Sequence, residues 1–453
     1  MRRNREAGQT LVLFALGLTV LMLAAGLAID MGYLRYQKRR MQAAADAAAI
    51  GGASELNYSD WTAAARGDAS YDGFTHGDAT GTIVAVNCPP NSGPNMGMPG
   101  EACNHQNYVE VIVSQPQPLF FMNIIPGIAK PTVSARAVAF SIASCVYTGG
   151  GGISATLNAG MTMDDSGCGV KAGGPLSLAA PSHEILSSYI GSSGCTGAGC
   201  HAYDPNNPEE GGLSPYPPQT IVPPSDPLSS VPAPPAQTGP CSQISSFTNG
   251  TVPAGAVVCS GTLNPAIPWT FGGSATFQGP ITIADNTTVT FNAGTYTFNG
   301  LSITGNNVTV NGDPSGVTLY NASNNVTICA APTIPTYATG CPANYANDTI
   351  NLTAPSSGTY AGILFYQDRS DSNTAIIVGN DTLGVGNTFL EGALYFPDAQ
   401  LTFGDVTDGA NWQTTYTILD ANSLLLVGTI NIGSEYPVTL PRNFTIRQPV
   451  LVE

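Results

Sequence analysis

Residues 368–372 carry the first pattern in this sequence that could do chemistry. They have the Asp-x-Ser-x-Ser spacing of a metal-ion-dependent adhesion site, and carboxylate and hydroxyl oxygens are the ligands that Mg²⁺ prefers. A domain of that type needs a long alternation of strands and helices after the motif, whereas only 81 residues follow, with little helical periodicity. We therefore predict a solvent-facing turn on a β-domain and no metal site.

Paired acids offer a second kind of chemistry. The adjacent aspartates 164–165 would suit a glycosidase in which one carboxyl protonates the leaving group and the other attacks or activates water. Such enzymes need further acids and a basic residue, and only Lys171 and His183 lie near in sequence. A surface turn is the preferred interpretation of residues 164–165. We likewise prefer a surface turn to a calcium site at Asp405 and Asp408.

A zinc site is the third candidate, because Cys195, Cys200 and His201 would supply two thiolates and an imidazole. No fourth ligand is evident, and a local Cys195–Cys200 disulfide is favoured in an oxidising compartment. Spacing suggests four more local pairs, although connectivity cannot be deduced from sequence. These pairs are Cys88 with Cys103, Cys145 with Cys168, Cys241 with Cys259, and Cys329 with Cys341. The sequence predicts no metal and no cofactor.

Charge is distributed unevenly along the chain. Seven of the fourteen basic residues lie in the first forty positions with two acids, so the remainder holds 28 acids against 7 bases, a formal charge of −21. A surface this acidic repels phosphate backbones, which argues against a nucleic-acid partner. Only 10 % of residues are charged, while Gly reaches 52 and Pro 35. This composition is typical of an extracytoplasmic β-rich protein.

The apolar run 10–29 predicts a transmembrane anchor. It holds no charge and no proline, and at about 1.5 Å per residue it spans roughly the 30 Å hydrocarbon core of a bilayer. The run is longer than a signal-peptide core of about 7 to 15 residues, and Asp30 follows it directly, so we expect it to be retained. Its marker positions are Thr10, Leu11, Gly17, Gly26 and Ile29.

Basic residues flank the anchor on both sides, so the positive-inside rule gives a near tie. All ten cysteines lie beyond residue 87, and disulfides persist in oxidising compartments. We therefore expect a basic cytoplasmic tail at 1–9 and an extracytoplasmic bulk.

A helical stalk is expected beyond the anchor. The segment 30–55 is rich in good helix formers and free of proline. Its small-residue face, predicted as Ala43, Ala44, Ala47 and Ala48, would permit close packing. Alternating strands follow at 82–86, 108–113 and 132–142, so 30–143 is predicted as a stalk with a small α+β domain.

The N-terminal pattern resembles a known family. Gly-Gln-Thr at 8–10, Ala-Ile-Asp-Met-Gly at 28–32 and Met-Gln-Ala-Ala-Ala-Asp-Ala-Ala-Ala at 41–49 are similar to the start of the Flp (Tad) pilus-assembly TadE/TadG-like proteins. Prepilin-like relatives carry a glutamate early in the apolar segment, where this chain has Val12 and Leu13. The resemblance therefore favours the TadG-like branch and implies a pilin-like small domain, a bacterial inner-membrane anchor and pilus-assembly partners.

The remainder of the chain is predicted to be mainly β. A first β segment is expected at 144–191, a Pro/Gly-rich connector or surface loop at 192–250, and a right-handed parallel β-helix (solenoid) at 251–453, with a β-sandwich as the runner-up. Short apolar pairs separated by Asn/Gly turns should point inward, since residues two apart share one strand face. They are Val289/Phe291, Tyr296/Phe298, Leu301/Ile303, Val308/Val310, Val317/Leu319 and Val326/Ile328. Segments 293–296, 359–369 and 390–397 also resemble TadG-like proteins.

The sequence thus predicts a single-pass, membrane-anchored structural or accessory protein of Tad pilus assembly, not an enzyme, with its bulk in the periplasm or at the cell surface. Two other functions stay open. A glycan-binding adhesin would expose aromatic residues such as Trp269, Tyr366 or Trp412 along one face. A polysaccharide-cleaving β-helix enzyme would cluster acids and a basic residue in a groove.

Overall fold

A computed structural model describes residues 6–56, 60–88, 91, 108–124, 129–163, 168–187, 189–221, 226–329, 348–379, 388–405, 417–432 and 447–451. The chain divides into two compact units. Unit 1 comprises Met1–Ser141 and Gln448–Glu453, and unit 2 comprises Ile142–Arg447. The division falls two residues before the boundary expected after residue 143.

Unit 1 combines two helices with an antiparallel sheet. Its elements are α1 (Glu6–Glu55), α2 (Trp61–Tyr71), β1 (Ile83–Asn87), β2 (Tyr108–Pro116), a 3-10 helix (Met122–Ile124) and the first part of β3 (Thr132–Thr148). Strand β3 continues past Ser141 into unit 2. Strand β2 pairs with β1 on one side and with β3 on the other. A further strand, Arg447–Leu451, lies at the C-terminus. An α+β unit follows the anchor, as the alternating segments predicted.

Small side chains let α1 pack closely in the core of unit 1. Its buried face carries Ala44, Ala45, Ala48 and Ala49, all with no exposed surface. The predicted face was wrong by about one residue, because Ala43 is exposed and Ala47 only half-buried. Residues three and four apart lie on one side of a helix, and the alanines that face inward are those that pack with the buried β2 valines and α2 alanines.

Unit 2 is a parallel β-helix-like solenoid, as predicted. The register pairs Trp269 with Val289 and Val289 with Val310, so these coils take 20 or 21 residues. The first face holds Thr251–Val252, Trp269–Phe271, Thr288–Phe291, Thr309–Gly312 and Thr349–Thr353. The second holds Val257–Val258, Thr276–Phe277, Gly294–Phe298, Val317–Asn321 and Ile363–Gln367. The third holds Gly261–Thr262, Ile281–Ile283, Leu301–Ile303, Val326–Cys329 and Ala375–Gly379.

Two long strands, Thr388–Asp405 and Thr417–Ile432, extend this stack across more than one face. Beyond them the solenoid continues with β3 and with strands from the first part of unit 2. These are Ile153–Met163, Cys168–Ala172, Leu176–Leu178, Glu184–Leu186, Tyr189–Ser192, Cys195–Thr196, Gly212–Ser214 and Gln219–Thr220. Short 3-10 helices lie at Pro208–Glu210 and Ile244–Ser246.

The coils do not stack in chain order. Strand Thr417–Ile432 pairs with Thr388–Asp405 on one side, and with β3 and Ile153–Met163 on the other. The chain therefore enters the solenoid at an interior coil and adds coils toward one end, which it reaches at Gln219–Thr220. The next coils begin near residue 251, at the opposite end of the solenoid. The first β segment predicted at 144–191 and the β-helix predicted at 251–453 belong to one solenoid, because direct strand pairing joins them.

The predicted connector 192–250 also requires correction. Three of its strands, Cys195–Thr196, Gly212–Ser214 and Gln219–Thr220, pair in parallel with earlier coils. Only the later Pro-rich part follows the alternative prediction of a loop along the solenoid. Pro and Gly mark turns as well as linkers, so composition alone does not separate coil corners from a connector.

Inward side chains fill the solenoid as the alternating pairs predicted. All twelve predicted inward residues are buried. Aromatic rings repeat from coil to coil: Phe271 stacks on Phe291 with centroids 5.0 Å apart, and Phe277 on Phe298 at 4.6 Å. Corner asparagines repeat as well. Asn286 and Asn307 both have φ of 57°, a left-handed conformation that asparagine tolerates.

Candidate functional site

The N-terminal half of α1 is one candidate functional element. It is the helix among the described residues that is long and apolar enough to cross a membrane. Leu13, Val20, Leu23 and Ile29 are all about half or more exposed. A soluble core helix would bury such side chains, so this surface fits a lipid environment.

Asp30 marks the end of this apolar run and holds a loop. Its Oδ1 accepts a hydrogen bond from the Phe120 amide at 2.8 Å, and its Oδ2 accepts from the Phe121 and Met122 amides at 3.1 and 2.8 Å. Asp30 is only 2 % exposed. The three N–H donors compensate a carboxylate that would otherwise be costly to bury.

Two further contacts fix the same loop on α1. The Tyr33 and Phe120 rings meet edge to face at 5.0 Å. Phe121 lies over Gly26, where an added Cβ would come within 2.9 Å of the Phe121 side chain. Glycine at position 26 thus permits an approach that a larger residue would block.

A second candidate element lies on the outward side of the second solenoid face. Residues 226–240, hereafter the strap, contact several coils in turn. The Tyr395 hydroxyl donates to Asp226 at 2.7 Å, and the Tyr366 hydroxyl donates to the Val231 carbonyl at 3.0 Å. Further along, the Gln237 amide donates to Thr276 Oγ1 at 2.9 Å. The strap therefore runs back toward the end where the coils resume.

Arg369 fastens the start of the strap. Its Nε donates to the Tyr395 hydroxyl at 2.7 Å, and its guanidinium also donates to the carbonyls of Leu228 and Val231. The guanidinium lies 5.4 Å from the ring centroids of both Tyr366 and Tyr395. An arginine can satisfy several acceptors at once because its five donors form a rigid planar fork.

A row of buried polar residues runs beneath and beyond the strap. The register places Tyr366, Tyr395, Asp420, Tyr147 and Lys171 on successive coils. Burial raises the pKa of Tyr395 and raises the pKa of Asp420 well above its usual range. Burial lowers the pKa of Lys171 to about 8. Tyr147 lies on the strand between those of Asp420 and Lys171, so the two outer strands are about 10 Å apart. Asp420 and Lys171 therefore do not form a close acid–base pair.

The motif considered as a magnesium site is a turn that is hydrogen-bonded to its surroundings. Asp368 accepts hydrogen bonds from Ser370 and, at 2.6 Å, from the Tyr320 hydroxyl. Asp371 accepts from the Asn373 amide at 3.1 Å and from Asn321. No cluster of three metal-ligating side chains occurs in the part of the chain that the structure describes.

The two cysteines considered as zinc ligands form a disulfide instead, as the sequence analysis favoured. Cys195 and Cys200 form a disulfide, and so do Cys241 and Cys259, two of the pairs expected from spacing. Cys145 and Cys329 each take part in a disulfide as well. The side chains of their expected partners, Cys168 and Cys341, lie outside the description, as does Cys103, the predicted partner of Cys88. Those three pairings stay predictions.

The remaining predicted positions fall into two groups. Trp269 and Tyr366 are buried, with 2 % and 1 % exposure, so neither offers an exposed platform for a sugar ring. The aspartates 164–165, Asp408 and Trp412 lie outside the described residues, as does the side chain of Asp405.

Comparison with known families gives one match. Residues 8–55 match the Flp pilus-assembly TadE/G-like family model. This segment is therefore similar to the TadE/G-like family. It coincides with α1, which begins at Glu6 and ends at Glu55, and it contains both Gly26 and Asp30. No curated protein and no solved structure matches the chain.

Two functional contacts were missed from sequence. The roles of Asp30 on α1 and of Arg369 on the solenoid depend on partners about 90 and 140 residues away. One local signal existed for Asp30: an unpaired acid at the end of an apolar helix is costly, so a partner was to be expected.

Proposed function

We propose that this protein is a membrane-anchored structural or accessory component of Tad pilus assembly in a bacterial inner membrane. The match of residues 8–55 to the TadE/G-like family carries this proposal. The apolar, exposed surface of α1 supports anchoring. The disulfides of unit 2 suit an oxidising compartment, so its location is periplasmic or at the cell surface.

The proposed role of the solenoid is mechanical and carries no reaction. Coils paired by continuous parallel ladders, local disulfides and a strap fastened across several coils form an extended, stiff element. Such an element suits a protein that spans part of the envelope and offers surfaces to other proteins. The burial of Trp269 and Tyr366 means that these two aromatic residues do not support a glycan-binding adhesin.

Crosslinking in cells tests the pilus assignment. The full chain is crosslinked mildly in membranes and purified, and co-purifying proteins are identified. We expect pilus-assembly components to be enriched relative to an unrelated single-pass membrane protein. Recovery of the chain without them would refute the assignment.

Protease treatment of spheroplasts tests orientation. We expect digestion of unit 2 in intact spheroplasts, because its predicted location is outside the cytoplasm. Protection of unit 2 until the membrane is lysed would contradict that topology.

A further inference from the structure

The loop held by Asp30 exposes large apolar side chains. Phe120 and Phe121 are 57 % and 44 % exposed. A water-exposed phenylalanine loses the favourable free energy that burial of its ring would provide. Two adjacent exposed phenylalanines therefore indicate that another apolar phase covers them.

The position of the loop along α1 indicates which phase that is. Phe121 lies over Gly26, four residues before Asp30, which corresponds to about 6 Å along the helix axis toward its apolar end. On this part of α1, Leu23 and Leu27 are themselves 65 % and 49 % exposed. The phenylalanines thus extend the same apolar surface that the anchor presents to lipid.

Three backbone amides of the loop have a partner that suits them to a low-dielectric environment. The amides of Phe120, Phe121 and Met122 all donate to Asp30, so they do not need water. Backbone groups without a partner cost several kcal/mol in lipid. The carboxylate that accepts from them is itself nearly inaccessible, at 2 % exposure.

We propose that residues 117–124 form a second membrane contact, which inserts Phe120 and Phe121 into the interfacial region of the bilayer that α1 crosses. The depth of about 6 Å along the axis agrees with the roughly 5 to 10 Å to which interfacial elements bury their apolar side. A helix with a lateral second contact has a defined rotation and tilt, since interfacial anchors set both. This inference depends on the proposed anchoring role of α1.

Fluorescence quenching by lipid tests the insertion. The full chain carrying Phe120→Trp is reconstituted in phosphatidylcholine vesicles whose acyl chains are brominated at shallow positions. Tyr71→Trp is the matched control, because Tyr71 is an aromatic residue of unit 1 with 93 % exposure. The native chain supplies the background signal of its three tryptophans. We expect the signal added at position 120 to fall at least twofold, and the signal added at position 71 to stay unchanged.

Vesicle flotation separates the outcomes. If the protein floats with the vesicles but positions 120 and 71 are quenched equally, the loop proposal is refuted and the anchor stands. If the protein does not float, the proposed anchoring function itself fails. Asp30→Ala provides a second measurement: loss of the acceptor should reduce quenching at position 120 without abolishing flotation.

A photoreactive phenylalanine at position 120 tests the occupant in cell membranes. Benzoylphenylalanine preserves an aromatic side chain and reacts with whatever lies within contact distance. We expect adducts with phospholipid. Adducts with another protein, and none with lipid, would overturn the proposal.

Discussion

Replacing Arg369 with methionine should loosen the strap while leaving the solenoid folded. The substitution removes the donors to Tyr395, Leu228 and Val231. It keeps the Tyr366 bond to Val231 and the Tyr395 bond to Asp226. The strap should therefore open locally more often, because it lies outside the inward-facing core.

The structure sets the size of this effect. Hydrogen bonds to a charged group contribute about 1.5 to 3 kcal/mol each, but the Arg369 side chain is 34 % exposed, so the lower end applies. Its 3.5 Å ion pair with Asp226 adds less than about 1 kcal/mol after solvent screening. Allowing for water reaching the freed carbonyls, we expect the opening free energy to fall by about 3 kcal/mol. That is roughly a hundredfold at about 1.4 kcal/mol per tenfold.

Amide hydrogen exchange measures this opening. The Leu228 amide donates to Asp226, and the Val231 amide to the Leu228 carbonyl, so both should exchange tens to hundreds of times faster in R369M. The Gln237 amide, held by Thr276, should change less. Arg66→Met, in unit 1, controls for loss of a guanidinium. A change below threefold at positions 228 and 231 would refute the fastening role of Arg369.

Three further predictions concern unit stability in the full chain. Ala44→Leu should lower the unfolding free energy of unit 1 by about 1 to 3 kcal/mol through overpacking, whereas Ala43→Leu, at an exposed position, should change it by less than about 0.5 kcal/mol. Equal urea midpoints for the two variants would contradict the assigned buried face. Burial raises the pKa of Asp348 from 3.8 to about 7, so the folded state holds the extra proton and native stability should fall as pH rises from 4 to 7. Asp348→Asn should remove up to about 4 kcal/mol of that fall, and parallel stability curves would show the reasoning wrong. Since the pKa of Lys171 is lowered from 10.5 to about 8, the unfolded state binds more protons between those values and stability should rise with pH there. Lys171→Met should abolish this rise, and the variant should be more stable than the native chain at pH 7. Urea midpoints measured from pH 7 to 10.5 test both expectations.

Periodicity made much of the fold predictable. The inward pairs of the solenoid, such as Val289 and Phe291, are two residues apart, and strand geometry alone places them on one face. The Cys195–Cys200 disulfide was likewise accessible from spacing, because the two residues are only five positions apart. The exact alanine face of α1 was not, since its sequence offers several small-residue stripes and only the elements packed on it, α2 and the strands, select one.

The candidate sites were less accessible. The motif at 368–372 was expected to be a solvent-facing turn. It is a turn, but Asp371 is buried, and the arginine of the motif was not expected to fasten a segment about 140 residues away. Nor did composition distinguish coil corners from strap within 192–250, because Pro and Gly occur in both. The sequence around a side chain such as Tyr366 does not identify its hydrogen-bond partner.

The sequence by itself determined the anchor, the family resemblance, the strand pattern and the local disulfides, all of which depend on residues close together in the chain. Only the tertiary structure decided that the last described coil packs against the first, since that pairing joins Leu424 to Ile153. It also decided that Asp30 holds the Phe120 loop and that the strap crosses the solenoid. The physical reason is that strand ladders and carboxylate–amide bonds depend on distance in space, and local sequence carries no record of which distant segment will supply the partner.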